Sequence, residues 1–299
     1  MVTRVGDHAQ TQRLTALMMQ TQSRLQKTNG QIATGHLHQS FGELGDEASL
    51  FVRTKSAREQ TETFVNQNRT FVDRARSMDS SLGGMIDVME RLRSLLVQRL
   101  DATTGSELPL DVEAEGMIDQ LTNLMNRQLD GRYLFAGSRT DAPPVTAPSP
   151  AAAVVADGAY YAGDDIALAA RVDANVTLTY GVNAGEPPFV NAFAALGSAI
   201  QGHGANDRTQ LAAALDLTNV ALDGIISRRA DLGTVTARAE AISESQSSSL
   251  LYLQETLSRL NDTDIPSAMT QMTLDQVSLE ASYTAVAKLS QLNLADYLR

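Results

Sequence analysis

The 299-residue sequence contains no cysteine and no tryptophan. The absence of cysteine excludes disulfide bonds and thiolate metal sites. Aromatic residues make up only 5% of the chain, although the apolar fraction is ordinary at 43%. Scarcity of large apolar side chains favours long helices with narrow buried stripes over one thick core.

Lysine is also scarce, since it occurs only as Lys27, Lys55 and Lys288 and the other basic residues are arginines. The densest basic group lies between residues 91 and 99, and acidic residues flank it. The net charge of the chain is −11. Because a nucleic-acid groove needs a basic face, we expect no nucleic-acid partner.

Long hydrophobic runs are missing as well. No stretch approaches the roughly 18 apolar residues of a membrane-spanning helix, so we expect no membrane span. The segment MVTRVGDHAQTQRL has no basic region followed by an apolar one, which is the pattern of a cleaved secretion signal. The sequence therefore predicts a protein that is cytoplasmic or exported without a cleaved signal.

Proline is rare outside one region. Six of the eight prolines lie between residues 143 and 188, and they divide the chain into a helical arm, an irregular middle and a second helical arm. We expect five segments: an N-terminal helix of a terminal coiled-coil domain, the first half of a helical rod, an inserted β-rich domain, the second half of the rod, and a C-terminal helix of the terminal domain. Their predicted bounds are 1–45, 46–137, 138–188, 189–262 and 263–299.

A seven-residue repeat runs through the first arm. Phe64, Phe71, Met78, Met85 and Leu92 follow one another at intervals of seven, which predicts one face of a long helix, from about residue 47 to 100, with a tendency to supercoil. A third helix is expected from about 109 to 129, ended by Gly131, and a long helix of the second arm from about 207 to 260.

The middle region alternates with a period of two. Apolar residues recur between Ile166 and Tyr180 among glycine and aspartate turns, which is typical of a small antiparallel β-unit. The predicted fold class is therefore mainly α, with a long antiparallel helical rod or coiled coil formed by the two arms and a small inserted β-rich domain.

Both ends of the sequence carry apolar residues at helical spacing, and Asp264 and Pro266 are suited to begin the last helix. These stripes can pair with each other or with a neighbouring subunit. The predicted coiled-coil and subunit-interface residues are Leu14, Leu17, Met18, Leu25, Ile32, Ile265, Met272, Leu279, Val286, Leu289, Leu292 and Leu298.

Motifs that carry chemistry are absent from the sequence. There is no phosphate-binding glycine loop, nucleophile elbow or HExxH motif. His36 and His38 are read as solvated loop residues, and His203 as a surface residue. We therefore expect no enzyme, no catalytic residue, no cofactor and no metal.

The most specific stretch is NRQLDGRYLFAGSRTDAPP, residues 126–144. It resembles the segment of the flagellin superfamily, and within it of the hook-filament junction proteins of the hook-associated group, in which a helix ends at Gly-Arg-Tyr-Leu-Phe and continues into Gly-Ser-x-Thr-Asp. The family motif at the boundary between rod and β-domain comprises Gly131, Arg132, Tyr133, Leu134, Phe135 and Gly137. Residues 23–35 and 278–298 resemble the terminal helices of the same superfamily.

Two departures separate the sequence from bulk flagellin. The Asn-Thr-Asn start and the Ala-Lys-Asp-Asp-Ala-Ala-Gly segment are missing, and only Asp46–Glu47–Ala48 is similar to the usual acidic pair. A flagellin or flagellin-like filament subunit remains the alternative. A type III needle-tip or translocator protein would lack the 131–144 segment, and the prolines of the middle argue against a cytoplasmic signalling coiled coil.

The resemblance implies an extracellular structural protein of the bacterial flagellum, transiently cytoplasmic before type III export, that forms a ring between the first hook-associated protein and the filament. Its implied partners are copies of itself, that hook-associated protein, flagellin, the flagellar type III export apparatus and a cytoplasmic export chaperone. We further expect the terminal helices to be poorly folded in the monomer and to become ordered on assembly.

Overall fold

The computed structural model describes residues 2–101, 109–155 and 157–297, and the side chains of residues 12–40, 42–101, 109–155 and 157–288. The chain folds as two compact units. The first, here the terminal unit, combines the chain up to Gln60 with the chain from Ser249 onward. The second, the central unit, is Thr61–Ser248.

The elements in chain order are α1 (Val2–Thr34), a 3₁₀ helix (Phe41–Glu47), α2 (Ala48–Leu100), α3 (Leu110–Met125), β1 (Gln128–Leu129), β2 (Arg132–Tyr133), α4 (Pro150–Ala153), β3 (Ala169–Asp173), β4 (Val176–Thr179), α5 (Pro187–Gly204), α6 (Arg208–Asn261) and α7 (Ile265–Tyr297). The predicted fold class, mainly α with a small β component, is confirmed.

The helices begin where the sequence supplies a suitable N-terminus. Asp207 accepts a hydrogen bond from the backbone N–H of Thr209, 2.9 Å away, and so caps α6. Asp264 does the same for α7 through the Ser267 hydroxyl at 2.8 Å and the Ser267 backbone N–H at 3.3 Å. The predicted cap at Asp264 is confirmed.

The core of the central unit is formed by the predicted heptad face of α2. Met78, Met85 and Leu92 have no exposed surface, and Phe71 is only 4% exposed. They cluster with buried residues of α3, α5 and α6. An unbroken seven-residue repeat places all of these side chains on one side of the helix, and that side is buried from Phe71 onward, whereas Phe64 is only partly buried.

Helices α2 and α6 run antiparallel within the central unit, as two exposed ion pairs show. Arg76 reaches Glu240 at 2.8 Å, and Arg229 reaches Asp79 at 2.8 Å. Residue numbers that rise on one helix therefore fall on the other.

The middle region contains a two-stranded antiparallel hairpin, β3–β4, in which Ala170 pairs with Leu178. The predicted alternation is confirmed for Val172 and Leu178, which are buried, but not for Ile166, which lies before the strand and is 61% exposed. Beneath the hairpin, the Asn68 and Gln246 side-chain amides each donate a hydrogen bond of 2.9 Å to the carbonyl of Val172. This buried polar contact fixes the hairpin to α2 and α6.

Candidate assembly interface and boundary motif

Helices α1 and α7 pack against each other in the terminal unit. The residues on their facing sides recur at alternating intervals of four and three, which is the spacing of an antiparallel coiled-coil seam. These seam residues are Leu14, Met18, Thr21, Leu25, Thr28 and Ile32 on α1, and Ala268, Met272, Asp275, Leu279, Ser282 and Val286 on α7.

Seven of the predicted interface residues lie on this seam, all of them partly buried: Leu14, Met18, Leu25, Ile32, Met272, Leu279 and Val286. Leu17 and Ile265 lie off it and are 57% and 43% exposed. The side chains of Leu289 and Leu292, and the whole of Leu298, lie outside the described residues.

A charged pair crosses the seam at its middle. The Arg24 guanidinium donates from Nε to the Asp275 Oδ2, 2.8 Å away, and from Nη2 to Oδ1, 2.7 Å away. The Arg24 Nε also donates to Oδ1 at 3.0 Å, and Gln271 donates a further hydrogen bond to Oδ1 at 3.0 Å. The Asp275 side chain is 3% exposed, whereas that of Arg24 is 49% exposed. The hydrogen bonds from Arg24 lower the pKa of Asp275, and the same contact raises the pKa of Arg24.

The seam between α1 and α7 buries little apolar surface. Among the described side chains of α1 and α7, only Thr28 and Asp275 are classed as buried, and both are polar. Large apolar side chains on the same two helices are half exposed or more; they are Leu17, Met19, Met269, Leu274, Val277 and Tyr283. On α7 they lie on two faces, because Met269 and Tyr283 flank the seam on one side and Leu274 and Val277 lie on the face opposite to it. A helix that is apolar on most of its circumference requires more than one neighbour.

Two loops join at one end of the helix pair. The N–H of Leu37 donates to the carbonyl of Asn261 at 2.6 Å, and the N–H of Thr263 donates to the carbonyl of Gly35 at 2.9 Å. Gly35 has a φ of 73°, which a glycine adopts without strain as α1 ends. His36 is exposed in this loop, as predicted, while His38 is only partly exposed.

The boundary motif begins with a tight hairpin, which the sequence analysis missed. The prediction that Gly131 ends the third helix is wrong, because α3 ends at Met125 and Gln128–Leu129 then pairs with Arg132–Tyr133. Asp130 and Gly131 form the two-residue turn, with φ values of 52° and 72°. Positive φ at both positions is the requirement of a type I′ turn, and Asp-Gly is one of its preferred sequences.

The apolar part of the motif enters the core of the central unit. Leu134 is 4% exposed, and Phe135 is fully buried with its ring 6.4 Å from that of Phe189. Arg132 is exposed and donates from Nε to the Thr140 hydroxyl at 3.0 Å. Tyr133 is partly exposed. The motif thus anchors the start of the middle region through two of its side chains.

Gly137 is required by a close approach of the chain. Its φ is 67°, and a Cβ on it would lie 2.2 Å from the backbone oxygen of Asp164. The Asp164 carboxylate accepts hydrogen bonds from the Ser138 hydroxyl at 2.5 Å and the Ser138 N–H at 2.8 Å. These bonds lower the pKa of Asp164. The Gly-Ser pair of the motif therefore closes a polar turn on Asp164.

The prediction that His203 is a surface residue is wrong. Its side chain is 16% exposed, and its Nδ1 accepts a hydrogen bond of 3.0 Å from Nε of Arg99. Arg99 also donates to Asn206 at 2.6 Å and is itself 6% exposed. This cluster joins the end of α2 to the turn between α5 and α6. In the sequence, the only feature that could have indicated it is a histidine near the end of a helix.

No group of three or more histidine, cysteine, aspartate or glutamate side chains that could hold a metal occurs within the described residues. In the same part of the chain, none of the helices combines the length and apolarity needed to cross a bilayer.

Comparison with known families identifies both helical arms. The profile of the bacterial flagellin N-terminal helical region matches residues 7–140, and that of the bacterial flagellin C-terminal helical region matches residues 215–298. The flagellar hook-associated protein 3 of Escherichia coli K12 is 26% identical over 257 residues, covering 76% of this chain and 78% of that protein. Its counterpart in Salmonella typhimurium LT2 is also 26% identical over 257 residues.

Solved structures show the same fold at low sequence identity. A putative flagellar hook-associated protein from Vibrio parahaemolyticus superposes with a TM-score of 0.61 at 13% identity, covering 74% of this chain and 100% of that one. Bacillus cereus FlgL gives a TM-score of 0.56 at 20% identity, with 69% and 98% covered. Each of these structures therefore shares its fold with the 69–74% of this chain that it covers.

Proposed function

We propose a function on the premise that this chain belongs to the bacterial flagellin family, whose N-terminal and C-terminal helical regions both match it. Its similarity to hook-associated protein 3 gives it a structural role in the flagellum. We infer that it forms the junction ring between the hook and the flagellin filament. The ring lies outside the cell and touches the first hook-associated protein on one side and flagellin on the other.

The observation that carries this proposal is the uncovered apolar surface of α1 and α7. Leu274 and Val277 are 60% and 61% exposed, and Met19 is 67% exposed. They belong to helices on which the apolar seam residues are only partly buried, and among the described side chains only Thr28 and Asp275 are buried. Contact with the equivalent helices of neighbouring copies removes these apolar side chains from water, which is the main favourable term in association.

Coupling of folding to assembly follows from the same surface. The helix pair alone gains little from burial, so it is marginal in the monomer and becomes stable when copies surround it. This property suits a subunit that is exported through the type III apparatus, with a chaperone covering α7 in the cytoplasm, and polymerises outside.

A deletion strain complemented with variants tests the proposal. We expect the deletion to keep hooks, lose filaments and release flagellin into the medium, and the wild-type chain to restore filaments. The double variant Leu274→Asp/Val277→Asp should be exported and fail to restore them, because it places charges on the uncovered face without touching the seam. Ser278→Asp, at an exposed polar position on the side of the same helix that carries Gln271 and Ala285, is the matched control and should restore filaments.

The outcomes separate the parts of the proposal. Normal filaments in the deletion strain would overturn the junction role. Filaments restored by the double variant would overturn assembly through α7. Immunogold label spread along whole filaments, instead of a band at the hook end, would identify the alternative filament subunit.

A further inference from the structure

A groove in the central unit has cationic walls and no anionic ones. It consists of two adjoining cavities of about 310 and 50 Å³ that share Arg74 and Tyr180. One runs between α2 and β3 and is lined by Arg171, and the other reaches the boundary motif at Arg132. We call it the arginine groove. Neither cavity is lined by an aspartate or a glutamate, although the chain carries a net charge of −11.

Arg74 lies at the centre of the arginine groove, since it lines both cavities. Its Nε is buried and makes no hydrogen bond within the described residues. Arg132 donates to a hydroxyl and Arg171 to the carbonyls of Asp173 and Ala174, so neither is neutralised by a carboxylate. A buried guanidinium nitrogen without a partner is costly, and a carboxylate entering the groove would supply the missing acceptor and charge.

The same unit presents a surface of the opposite character on α6. Asp216, Val220, Asp223 and Ile226 occupy one side of the helix, at spacings of four, three and three. Val220 and Ile226 are 56% and 46% exposed. The carboxylates of Asp216 and Asp223 are exposed and have no ion pair or hydrogen bond in the part of the chain that is described. We call this surface the acidic ridge.

We propose that the acidic ridge of one copy of this chain docks into the arginine groove of the next. Carboxylates on the ridge meet Arg74 and the arginines beside it, and the apolar ridge residues meet the Tyr180 and Leu168 side of the groove. Groove and ridge are different surfaces, so the contact is head-to-tail and repeats from copy to copy as a ring or a helix. It adds to assembly through α1 and α7 a contact made by the central unit.

The chemistry of the two surfaces favours a second copy as the occupant. Opposed charges on a groove and a ridge guide encounter and fix orientation, and the ridge supplies both the carboxylates and the apolar side chains that the groove matches. The contact is salt-sensitive, because the charges around it are partly exposed and the screening length falls from about 10 Å at 0.1 M to about 3 Å at 1 M salt.

Cysteine cross-linking of the full chain tests the contact, since the natural sequence has no cysteine. Ala169→Cys places the only thiol at the groove, and Val220→Cys places it on the ridge; both positions are exposed. Mixing the two single variants under mild oxidation at 0.1 M salt should give a mixed disulfide dimer. Ala237→Cys, exposed on the same helix but 17 positions beyond Val220, is the matched control and should cross-link to Ala169→Cys at the background rate.

Charge-reversal variants test which groove arginines contact the aspartates of the acidic ridge. Arg132→Glu in the groove chain should reduce cross-linking by about tenfold, the order expected when two or three exposed charge contacts turn repulsive. Arg74→Glu should act in the same way, with circular dichroism showing that the helices are retained. Asp216→Arg/Asp223→Arg in the ridge chain should restore cross-linking to the reversed groove.

Three results would overturn the proposal: equal rates for residues 220 and 237, no effect of Arg132→Glu, or rescue by reversal of the exposed acids Glu115 and Asp119 of α3 instead of those on α6. The experiment uses purified chain and needs no flagellum. Its failure would leave the junction role intact, and failure of the complementation test would leave this contact intact.

Discussion

Asp275 is held by Arg24 through three hydrogen bonds of 2.8, 2.7 and 3.0 Å across a separation of 251 residues. The carboxylate is 3% exposed and the guanidinium 49% exposed. Because a polar pair at a seam position is satisfied in one alignment only, it sets the register of an otherwise uniform apolar repeat. The pair therefore specifies how α1 meets α7 more than it strengthens their contact.

The terminal helix pair should loosen in acid. The pKa of Asp275 is lowered in the folded chain, so its contribution to stability is present above its unfolded pKa of about 4. That contribution is lost as the pH falls through the lower, folded value. Because the chain has no tryptophan, Tyr283→Trp gives a single tryptophan, on α7, with which the loss below about pH 4 can be followed. The same reporter in Asp275→Asn should show no such transition, and a transition of equal size there would contradict the assignment.

The two halves of the pair should respond differently to replacement. Arg24→Leu leaves a buried carboxylate without its cation, which is strongly unfavourable. Asp275→Leu leaves a cation that is half exposed and can reach water along its aliphatic stem. We expect the melting temperature reported by the residue 283 tryptophan to fall in Arg24→Leu and to be held or raised in Asp275→Leu. Equal losses in both variants would show that the attraction itself, and not the burial of Asp275, controls stability.

Two glycine-to-alanine substitutions should have opposite effects. Gly137→Ala places a Cβ 2.2 Å from the Asp164 oxygen at a φ of 67°, and the backbone strain alone costs about 1–3 kcal/mol. Gly116→Ala lies on the exposed side of α3 with nothing within 4 Å, and it should stabilise the chain by about 0.5–1 kcal/mol. Urea unfolding followed by far-ultraviolet circular dichroism measures both. A neutral Gly137→Ala variant would show that the turn on Asp164 is free to shift.

The amides beneath the β3–β4 hairpin should be sensitive to removal. Asn68 is 1% exposed and donates to both the Val172 carbonyl and the Gln246 side chain. Asn68→Ala leaves the Gln246 side-chain oxygen without this donor and the Val172 carbonyl with only the bond from Gln246, and it should cost about 1–3 kcal/mol. Asn66→Ala, at an exposed position of the same helix, should change stability by less than about 0.5 kcal/mol. A similar loss in the two variants would indicate an effect of helix propensity and not of the buried network.

The long helices were predictable because their apolar residues repeat by seven over many turns. The burial of Met78, Met85 and Leu92 could be predicted without knowing which helices cover them, because any helix that packs on that face buries them. The prediction placed α2 at about residues 47–100, and it spans Ala48–Leu100. The boundary motif was likewise visible as a break, but its hairpin was missed although Asp130–Gly131 is a standard type I′ signal, because the helical pattern of α3 was extended across it.

The seam of the terminal pair was only partly predictable. Leu17 and Ile265 were predicted because they are apolar residues of the terminal helices, but they lie off the seam between α1 and α7. Asp275 and Thr28 lie on the seam but were not predicted, because the prediction selected apolar residues and these two are polar residues at the same spacing. The placement of His203 depended on Arg99, a residue 104 positions away. Contacts of this kind are set by tertiary structure and leave no local signal.

The pairing of α1 with α7 also affects how the chain folds while it is being synthesised. A ribosome that has just made Arg24 must add 251 more residues before Asp275 appears, which takes on the order of 10 to 50 s at bacterial and eukaryotic rates of synthesis. During that interval α1 has no partner in its own chain, whatever the state of the central unit. Every nascent copy therefore passes through a period in which an unpaired amphipathic segment is available to other molecules, and closing the pair is among the latest and most non-local steps of its folding.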